Sequence, residues 1–401
     1  MAERKAPVWW GIPKRFSERA RERKISWLEL FYDLVYAAAI SQLTEHLAQH
    51  PNMHGLLHML FLFAFLFWSW LNGSLYHDLH GNSGVRTRLA TLWQMMSIAA
   101  VAITIPDVFR GHHQGFAVSF SGVQLVITYL WWSTGYYEPA HKVLNKYYVR
   151  MSAISLVIII ISAFVPYHIA LGLWVLVLLS NFSSGLLSRK TVERETLKRG
   201  ETFSASDSII ERFGLFTIIV LGEAILGIIH GVSGSDDTPL ALWVCFILSI
   251  LIAFLLWWIY FDMLGQSSAK PGYMNLLYLS TGYLPLLVSF AITGAMLRVM
   301  LSDVNAAPHN MARTMFGAAV AVILISTAVL LHIMQQDEAE ERAMNKLSWL
   351  IFFTSIAVAL ITVAGNYCSL LLYLVLMVAT LVTCVIFGFR VWLGYGLFTE
   401  D

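Results

Sequence analysis

The amino-acid sequence predicts an all-α polytopic membrane protein with about 12 transmembrane helices, arranged as two parallel six-helix repeats. Three observations predict this fold class: the composition, the number of long apolar runs, and a short motif that recurs in each half of the chain. Hydrophobic residues make up 58% of the chain and charged residues 13%, with a mean hydropathy of +0.66. Globular domains carry about 25% charged residues, so most of this chain is suited to lipid.

Twelve apolar runs in the chain are long enough to cross a bilayer, since a helix needs about 20 residues for about 30 Å of hydrocarbon. Lipid offers the backbone no hydrogen bonds, so each run is predicted to be a helix. The runs cover residues 27–47, 55–78, 87–109, 115–138, 146–166, 168–188, 207–230, 238–263, 272–300, 311–335, 345–365 and 368–392.

These runs divide the chain into five parts. A basic cytoplasmic N-terminal segment is predicted at 1–26, without a separate apolar stretch of the kind found in a cleavable signal. The first six-helix repeat then occupies 27–188, a polar cytoplasmic linker occupies 189–206, and the second repeat occupies 207–393. A short cytoplasmic tail at 394–401 ends the chain.

The distribution of basic residues predicts the orientation. If the N-terminus is cytoplasmic, all of the 26 Lys and Arg residues except Arg110, Arg298 and Arg313 fall on the inner side. Such an excess of positive charge is typical of cytoplasmic loops, and a miscounted helix would invert every later loop. We therefore expect a multi-pass protein of the cell (cytoplasmic) membrane with both termini cytoplasmic.

A motif of the form Tyr-x-Asp-x-x-Gly indicates an internal repeat. It occurs as "YHDLHG" from Tyr76 and again as "YFDMLG" from Tyr260. The acid that opens the preceding helix lies 49 residues before Asp78 in the first copy (Glu29) and 51 residues before Asp262 in the second (Glu211). Six helices separate the copies, so both halves are predicted to cross the membrane in the same sense, related by an axis along the membrane normal.

Two longer stretches resemble one known family. "WLELFYDLVYAAAISQL", Trp27 to Leu43, and "ERFGLFTIIVLGEAILGI", Glu211 to Ile228, are similar to the low temperature requirement A (LtrA) family of bacterial membrane proteins. The two motifs, with the hydropathy pattern between them, cover nearly the whole chain. The resemblance implies the multi-helix membrane fold. The family's name reports growth in the cold and implies no substrate.

A second, fainter resemblance concerns the start of the first predicted helix. Phe31-Tyr32-Asp33, in a chain of two six-helix repeats, looks like the Phe-Ser-Asp signature of the lysosomal and bacterial potassium channels. The signature's Arg is replaced by Trp27, and Leu215 stands where its Asp would recur in the second half. The resemblance implies an ion channel, with a gating network that these departures call into question.

Acidic residues within the apolar runs are the candidate site residues. Glu29 and Asp33 lie one helical turn apart on the same face of the first helix, near its cytoplasmic end. An acid inside a membrane costs about 2.5–3.5 kcal/mol, so these side chains are expected to face the helix bundle. They form either a cytoplasmic vestibule or a structural anchor, which pairs with Arg23 or Lys24 or caps neighbouring helix ends. The same two interpretations, part of a cytoplasmic vestibule or a structural anchor, apply to the repeat-related acids Glu211, Asp78 and Asp262.

Glu223 is predicted to lie deeper, since it follows Glu211 by twelve residues, about 18 Å along a helix. It is a candidate for binding a proton or a cation, and the alternative is a protonated acid that serves packing alone. Gly214, Gly222 and Gly227 would let another helix approach closely. In the first half the corresponding region offers the uncharged polar residues Ser41 and Gln42, followed by Thr44.

Three function classes follow from these patterns. The first is a transporter of an ion or small solute, coupled to protons through a buried Glu; the second is an ion or proton channel; the third is a membrane enzyme or receptor. The sequence contains no HExxH, GxSxG or Gly-rich phosphate motif, so we expect neither enzyme activity nor a cofactor, and we assign no metal ligands. His46, His50, His54 and His58 form either outer loops or an external pH sensor or loose metal site. The expected partners are membrane lipids and the transported species, not nucleic acid, and a homodimer stays an open alternative.

Overall fold

The computed structural model is helical almost throughout its described part. It describes residues 9–11, 13–14, 24–82, 84–137, 142–198, 205–233, 239–264, 269–302, 310–334 and 338–394. Within these ranges the chain forms twelve α-helices, and its β-structure is limited to one isolated bridge between Ala269 and Met334. The predicted all-α fold class is confirmed.

The helices overlap the twelve predicted runs one for one. Their bounds are α1 Trp27–Gln49, α2 Met53–His80, α3 Val85–Phe109, α4 Gln114–Tyr137, α5 Lys142–Ser162, α6 Tyr167–Lys198, α7 Asp207–Ser233, α8 Leu240–Leu264, α9 Tyr273–Ser302, α10 Asn310–Leu331, α11 Glu338–Gly365 and α12 Leu370–Gly394. By length and composition, ten helices of the described chain could cross a membrane. The other two, α1 and α5, each carry three charged residues.

Polar residues fix the first turns of several helices. Ser26 and Glu29 form a capping box at α1, in which the Ser26 hydroxyl donates to Glu29 Oε1 at 2.7 Å. Asn52 Oδ1 accepts the backbone N–H of Gly55 at 2.9 Å in α2, and Ser206 Oγ accepts that of Ile209 at 3.1 Å in α7. These contacts satisfy N–H groups that have no partner within the helix.

The chain forms two compact units. Unit 1 contains Met1–Leu43, Phe61–Arg212 and Pro271–Leu277, and unit 2 contains Thr44–Leu60, Phe213–Lys270 and Tyr278–Asp401. Three helices, α1, α2 and α7, each contribute one part to unit 1 and the remainder to unit 2. The beginning of α9 also belongs to unit 1 and the rest of it to unit 2.

Unit 1 is built from neighbours in the sequence, since α3 packs against α4, α4 against α5, and α5 against α6. The helix α6 continues to Lys198, ten residues beyond the predicted end of that span. Ion pairs at helical spacing, Arg189 to Glu193 and Lys198 to Glu195, support this polar extension. The middle of the predicted linker, residues 199–204, lies outside the described residues, as do parts of both termini.

In unit 2, α10 packs against α11, α11 against α12, and α8 against α12 and α10. The helices α7 and α9 approach closely where Gly227 faces Gly294. A Cβ atom on Gly227 would lie 2.7 Å from the carbonyl oxygen of Gly294, and one on Gly294 would overlap the backbone of Ala224. The predicted role of Gly227 in a close helix crossing is confirmed. Gly222, by contrast, faces open space.

The turn between α11 and α12 in unit 2 is held by a buried arginine of α10. Arg313 Nη1 donates to the carbonyl oxygens of Gly365, at 2.6 Å, and of Cys368, at 2.7 Å. The Tyr373 hydroxyl in α12 donates to the carbonyl oxygen of Arg313 at 3.1 Å. Three helices are thereby joined at one point of unit 2.

Candidate functional site

A buried ion-pair network lies in unit 1, where α1 meets the first turns of α7. Arg212 Nη1 donates to Glu29 Oε2 at 3.2 Å, and Arg212 Nη2 donates to Asp33 Oδ1 at 2.9 Å. Arg212 is 2% exposed, Glu29 4% and Asp33 0%. These three residues are called the Arg212 network below. The helical spacing of Glu29 and Asp33 allows one guanidinium group to bind both carboxylates.

The two carboxylates have different surroundings. Glu29 Oε1 accepts the Ser26 hydroxyl of the capping box at 2.7 Å, at the start of α1. Asp33 Oδ1 accepts both Arg212 and the indole N–H of Trp70, the latter at 2.7 Å. The other carboxylate oxygen, Asp33 Oδ2, is buried and has no hydrogen-bond partner among the described residues. Asp33 Oδ2 is therefore a buried acceptor that receives no hydrogen bond from the described residues.

The Arg212 network contains two carboxylates and one guanidinium group. Glu29 and Asp33 both contact Arg212, and all three side chains are buried. Buried charges are stable when they are paired, and an unpaired one costs several kcal/mol. A proton or a small cation at Asp33 would reduce the negative charge at the carboxylate oxygen that has no partner among the described residues.

Aromatic side chains surround the guanidinium group. Its central carbon lies 5.2 Å from the ring centre of Tyr32 and 6.0 Å from that of Trp70. Both rings are fully buried. Cation–π contacts of this kind are strengthened when water is excluded, so they stabilise the positive charge of Arg212 within the bundle.

A chain of hydrogen bonds continues from Tyr32 along α1. The Tyr32 hydroxyl donates to Tyr36 at 3.2 Å, and the Tyr36 hydroxyl donates to Ser69 Oγ at 3.1 Å. Gln94 Nε2 in α3 donates to Tyr32 at 2.8 Å, and all four side chains are buried. A Cβ atom on Gly73 would overlap the Tyr32 hydroxyl, so glycine at that position of α2 leaves room for the tyrosine.

In unit 2, Glu223 forms a separate polar contact. Its Oε1 accepts the hydroxyl of Thr44 at 2.9 Å, and the side chain is half-buried. The neighbouring residue Glu45 pairs with Arg298 of α9, with Arg298 Nη2 3.1 Å from Glu45 Oε1. Glu223 is thus less enclosed than Asp33, although the sequence predicts it to be the deepest acid.

The remaining candidate residues are dispersed. Ser41 and Gln42 are half-buried in α1, and Glu211 is exposed on α7 although its neighbour Arg212 is buried. Asp78 in α2 accepts the hydroxyl of Ser206, which lies just before α7. It also accepts the hydroxyl of Ser208, in the first turn of α7, at 2.6 Å.

The second copy of the Tyr-x-Asp-x-x-Gly motif has different contacts. Asp262 is exposed and accepts the indole N–H of Trp258 from its own helix. Gly265, the last position of that motif, lies outside the described residues. The internal repeat itself stays a prediction.

The expected basic partners of Glu29 and Asp33 were Arg23 or Lys24. Arg23 lies outside the described residues. Among the described residues both acids contact Arg212, which comes from another helix, 183 positions after Glu29 and 179 positions after Asp33. Its signal in the sequence is an arginine in the second turn of an apolar helix, which requires a counter-ion. Sequence reasoning also missed Trp70 and Gln94, because buried aromatic and amide residues occur often in apolar runs without a site.

Four histidines around the turn between α1 and α2 lie in unit 2. His46 and His50 stack with ring centres 4.6 Å apart, and His54 and His58 meet edge to face at 4.1 Å. The part of the chain that the structure describes contains no group of three or more His, Cys, Asp or Glu side chains that could hold a metal ion. An external pH sensor at these histidines stays a prediction.

A bundle of long apolar helices with a buried ionic network defines a class, the polytopic α-helical membrane proteins. A family model described as bacterial low temperature requirement A protein (LtrA) matches residues 24–387. The chain therefore belongs to the LtrA family. It is also similar to an uncharacterized protein of Rhizobium meliloti (strain 1021), with 29% identity over 286 residues, which is 69% of each chain.

Proposed function

We propose that this protein is an integral membrane transporter of an ion or small solute, and that the Arg212 network binds and releases a proton or small cation during transport. The observation that carries the proposal is the buried acceptor at Asp33 Oδ2, which has no hydrogen-bond partner among the described residues, beside a guanidinium group that both acids contact. Intramembrane acids paired with arginine typically mark ion pathways and proton relays in membrane proteins.

Arg212 supplies the competing positive charge in this mechanism. When Asp33 is ionised, the guanidinium group is held by both acids. When Asp33 takes a proton or binds a cation, its attraction for Arg212 weakens and Glu29 becomes the remaining ionic partner. A proton or cation bound at Asp33 therefore changes the stability of the contact between α1 and α7. A conformational cycle requires such a difference between the bound and the free state.

The cellular setting is part of the same proposal. We place the protein in the cell membrane with both termini in the cytoplasm, as the distribution of Lys and Arg favours. The beginnings of α1 and α7, where the Arg212 network lies, would then be near the cytoplasmic side. We propose no catalytic reaction for the protein. A homodimer is compatible with the proposal and is not required by it.

An ion channel is the second candidate, favoured by the resemblance of Phe31-Tyr32-Asp33 to the potassium-channel signature. Flux into proteoliposomes separates the two. A pH-sensitive dye inside the vesicles reports proton movement when a gradient of Na⁺ or K⁺ is imposed. Saturable, proton-linked flux supports the transporter, whereas unsaturable current carried by the same ions supports the channel.

Variants of the Arg212 network test the site. Asp33→Asn keeps an oxygen that can accept from Trp70 and Arg212, and it leaves the ion pair of Glu29 with Arg212 in place. We expect this variant to fold and to lose proton-linked flux. Glu211→Gln removes an exposed acid beside Arg212 and is the matched control, with flux unchanged. Normal proton-linked flux in Asp33→Asn would refute the proposed site.

A further inference from the structure

A groove between α4 and α5 in unit 1 lies apart from the Arg212 network. Its volume is about 540 Å³, and its walls are largely apolar, with Trp131, Trp132 and Tyr136 from α4. Volumes of about 300–1,000 Å³ are typical of sites for small organic ligands. The groove is large enough for a polar headgroup with the adjoining part of one acyl chain.

Two basic side chains of α5 line the same groove. Lys146 and Arg150 are one helical turn apart, both are exposed, and they lie beside the apolar residues Val149 and Ala153. No charged residue follows Arg150 in α5. The groove therefore combines two exposed cationic side chains with an apolar surface, as the interface of a bilayer combines headgroups with hydrocarbon.

Trp131, which lines the groove, also carries a buried hydrogen-bond donor. Trp131 is 5% exposed, and its indole nitrogen has no hydrogen-bond partner among the described residues. Its ring is fixed by stacking on Tyr148, with ring centres 5.5 Å apart. A buried indole N–H usually finds an acceptor, and an ester or phosphate oxygen of a bound molecule would supply one.

We propose that this groove binds an anionic glycerophospholipid, with its phosphate between Lys146 and Arg150 and one acyl chain against Val149 and Ala153. The charge of the rim favours an anionic headgroup over a zwitterionic one. The predicted orientation places this end of α4 and α5 at the cytoplasmic leaflet, where basic pockets between helices bind anionic lipids. The site goes beyond the proposed transport function and does not depend on it.

Native mass spectrometry of the purified full-length protein tests the proposal. The protein is released from detergent micelles that contain equal amounts of phosphatidylglycerol and phosphatidylcholine, and the retained lipids are counted. We expect phosphatidylglycerol to be retained in preference. Lys146→Gln with Arg150→Gln should weaken its binding about 25-fold, since each basic residue near a membrane surface contributes about fivefold.

The matched control is Arg189→Gln with Lys190→Gln, which removes the same charge from exposed positions of α6. It should keep the lipid preference. Trp131→Phe keeps an aromatic ring and removes the N–H donor, so it should weaken retention of both lipids without changing the preference for phosphatidylglycerol.

Equal retention of the two lipids by the unaltered protein would overturn the proposal. An unchanged preference in the Lys146 and Arg150 double variant, or an equal loss in the α6 control, would overturn it as well. Glycerol 3-phosphate is the probe for a small-anion site. Displacement of phosphatidylglycerol by this soluble phosphate at equal concentration would assign the groove to a free anion and reject the lipid.

Discussion

Arg212 Nη2 lies 2.9 Å from Asp33 Oδ1, and neither side chain has more than 2% of its surface exposed. This pair joins two helices that are far apart in the sequence, within the same compact unit. In such an environment the strength of an ion pair and the cost of breaking it both exceed the values for exposed pairs. The stability of unit 1 should therefore depend on the balance of charge at this point.

Arg212→Gln should destabilise the protein strongly, because it removes the guanidinium group that the buried acids Glu29 and Asp33 both contact. Breaking a buried pair in this way costs about 3–5 kcal/mol. The measurement is the midpoint of thermal unfolding in detergent. Adding Asp33→Asn to Arg212→Gln should recover part of the loss, since one of the uncompensated charges is then removed. No recovery in the double variant would show that charge balance is not the cause.

The pair of Glu45 and Arg298 provides the comparison. Their side chains are 39% and 29% exposed, so water screens the attraction. Arg298→Gln should change stability by about 1 kcal/mol or less, the usual value for exposed pairs. The same unfolding measurement applies, and a loss as large as that of Arg212→Gln would contradict the distinction by burial.

Gly294→Val should destabilise unit 2, because the added side chain would collide with the backbone of Ala224 at the crossing of α7 and α9. Overpacking of this kind costs about 1–3 kcal/mol. Gly222→Ala is the control in α7, since a Cβ atom there meets open space. The expected result is a lower unfolding midpoint for Gly294→Val and an unchanged one for Gly222→Ala. Equal midpoints for the two variants would count against the close crossing.

Gly73→Ala should disturb the hydrogen bonds around Tyr32, because the new methyl group would occupy the place of the tyrosine hydroxyl. We expect proton-linked flux to fall, as Tyr32 also packs against Arg212. Adding Tyr32→Phe to Gly73→Ala removes the colliding hydroxyl and should restore part of the flux. Gly172→Ala in α6 meets nothing within 4 Å and serves as the control.

Glu223→Gln should leave the fold intact, because the amide oxygen can still accept the hydroxyl of Thr44. Thr44→Val removes that donor and should cost about 0.5–1.5 kcal/mol. Proton-linked flux in the Asp33→Asn and Glu223→Gln variants then shows which of the two acids transport requires. If Asp33→Asn is inactive and Glu223→Gln transports normally, the Arg212 network holds the exchanged ion. The opposite result would transfer the site to Glu223.

The helices were largely predictable from the sequence, because the length of an apolar run is set by the thickness of the bilayer. The end of α6 was not predictable in this way, because its last turns lie outside any apolar run. They rely on surface ion pairs such as Arg189 with Glu193. The sequence also identified Glu29 and Asp33 as costly acids that must face the bundle. Its prediction that Gly227 lies at a helix crossing was confirmed as well.

The partner of these acids could not be predicted, because pairing across helices depends on the rotation and depth of each helix, which hydropathy does not specify. The charge distribution places Arg212 among the basic residues of the cytoplasmic side, and the repeat indicates its neighbour Glu211 as a candidate site residue. That neighbour is exposed. A shift of one residue on a helix, about 100°, is enough to exchange an exposed position for a buried one.

The contacts of Arg313 have a consequence for the turn between α11 and α12. Carbonyl groups at the end of a helix normally depend on water, and this requirement confines helix ends to the bilayer surface. Here a guanidinium group within the protein takes the place of that water for Gly365 and Cys368. The hydrogen bonds of these two carbonyl groups therefore do not depend on how far water reaches into the turn.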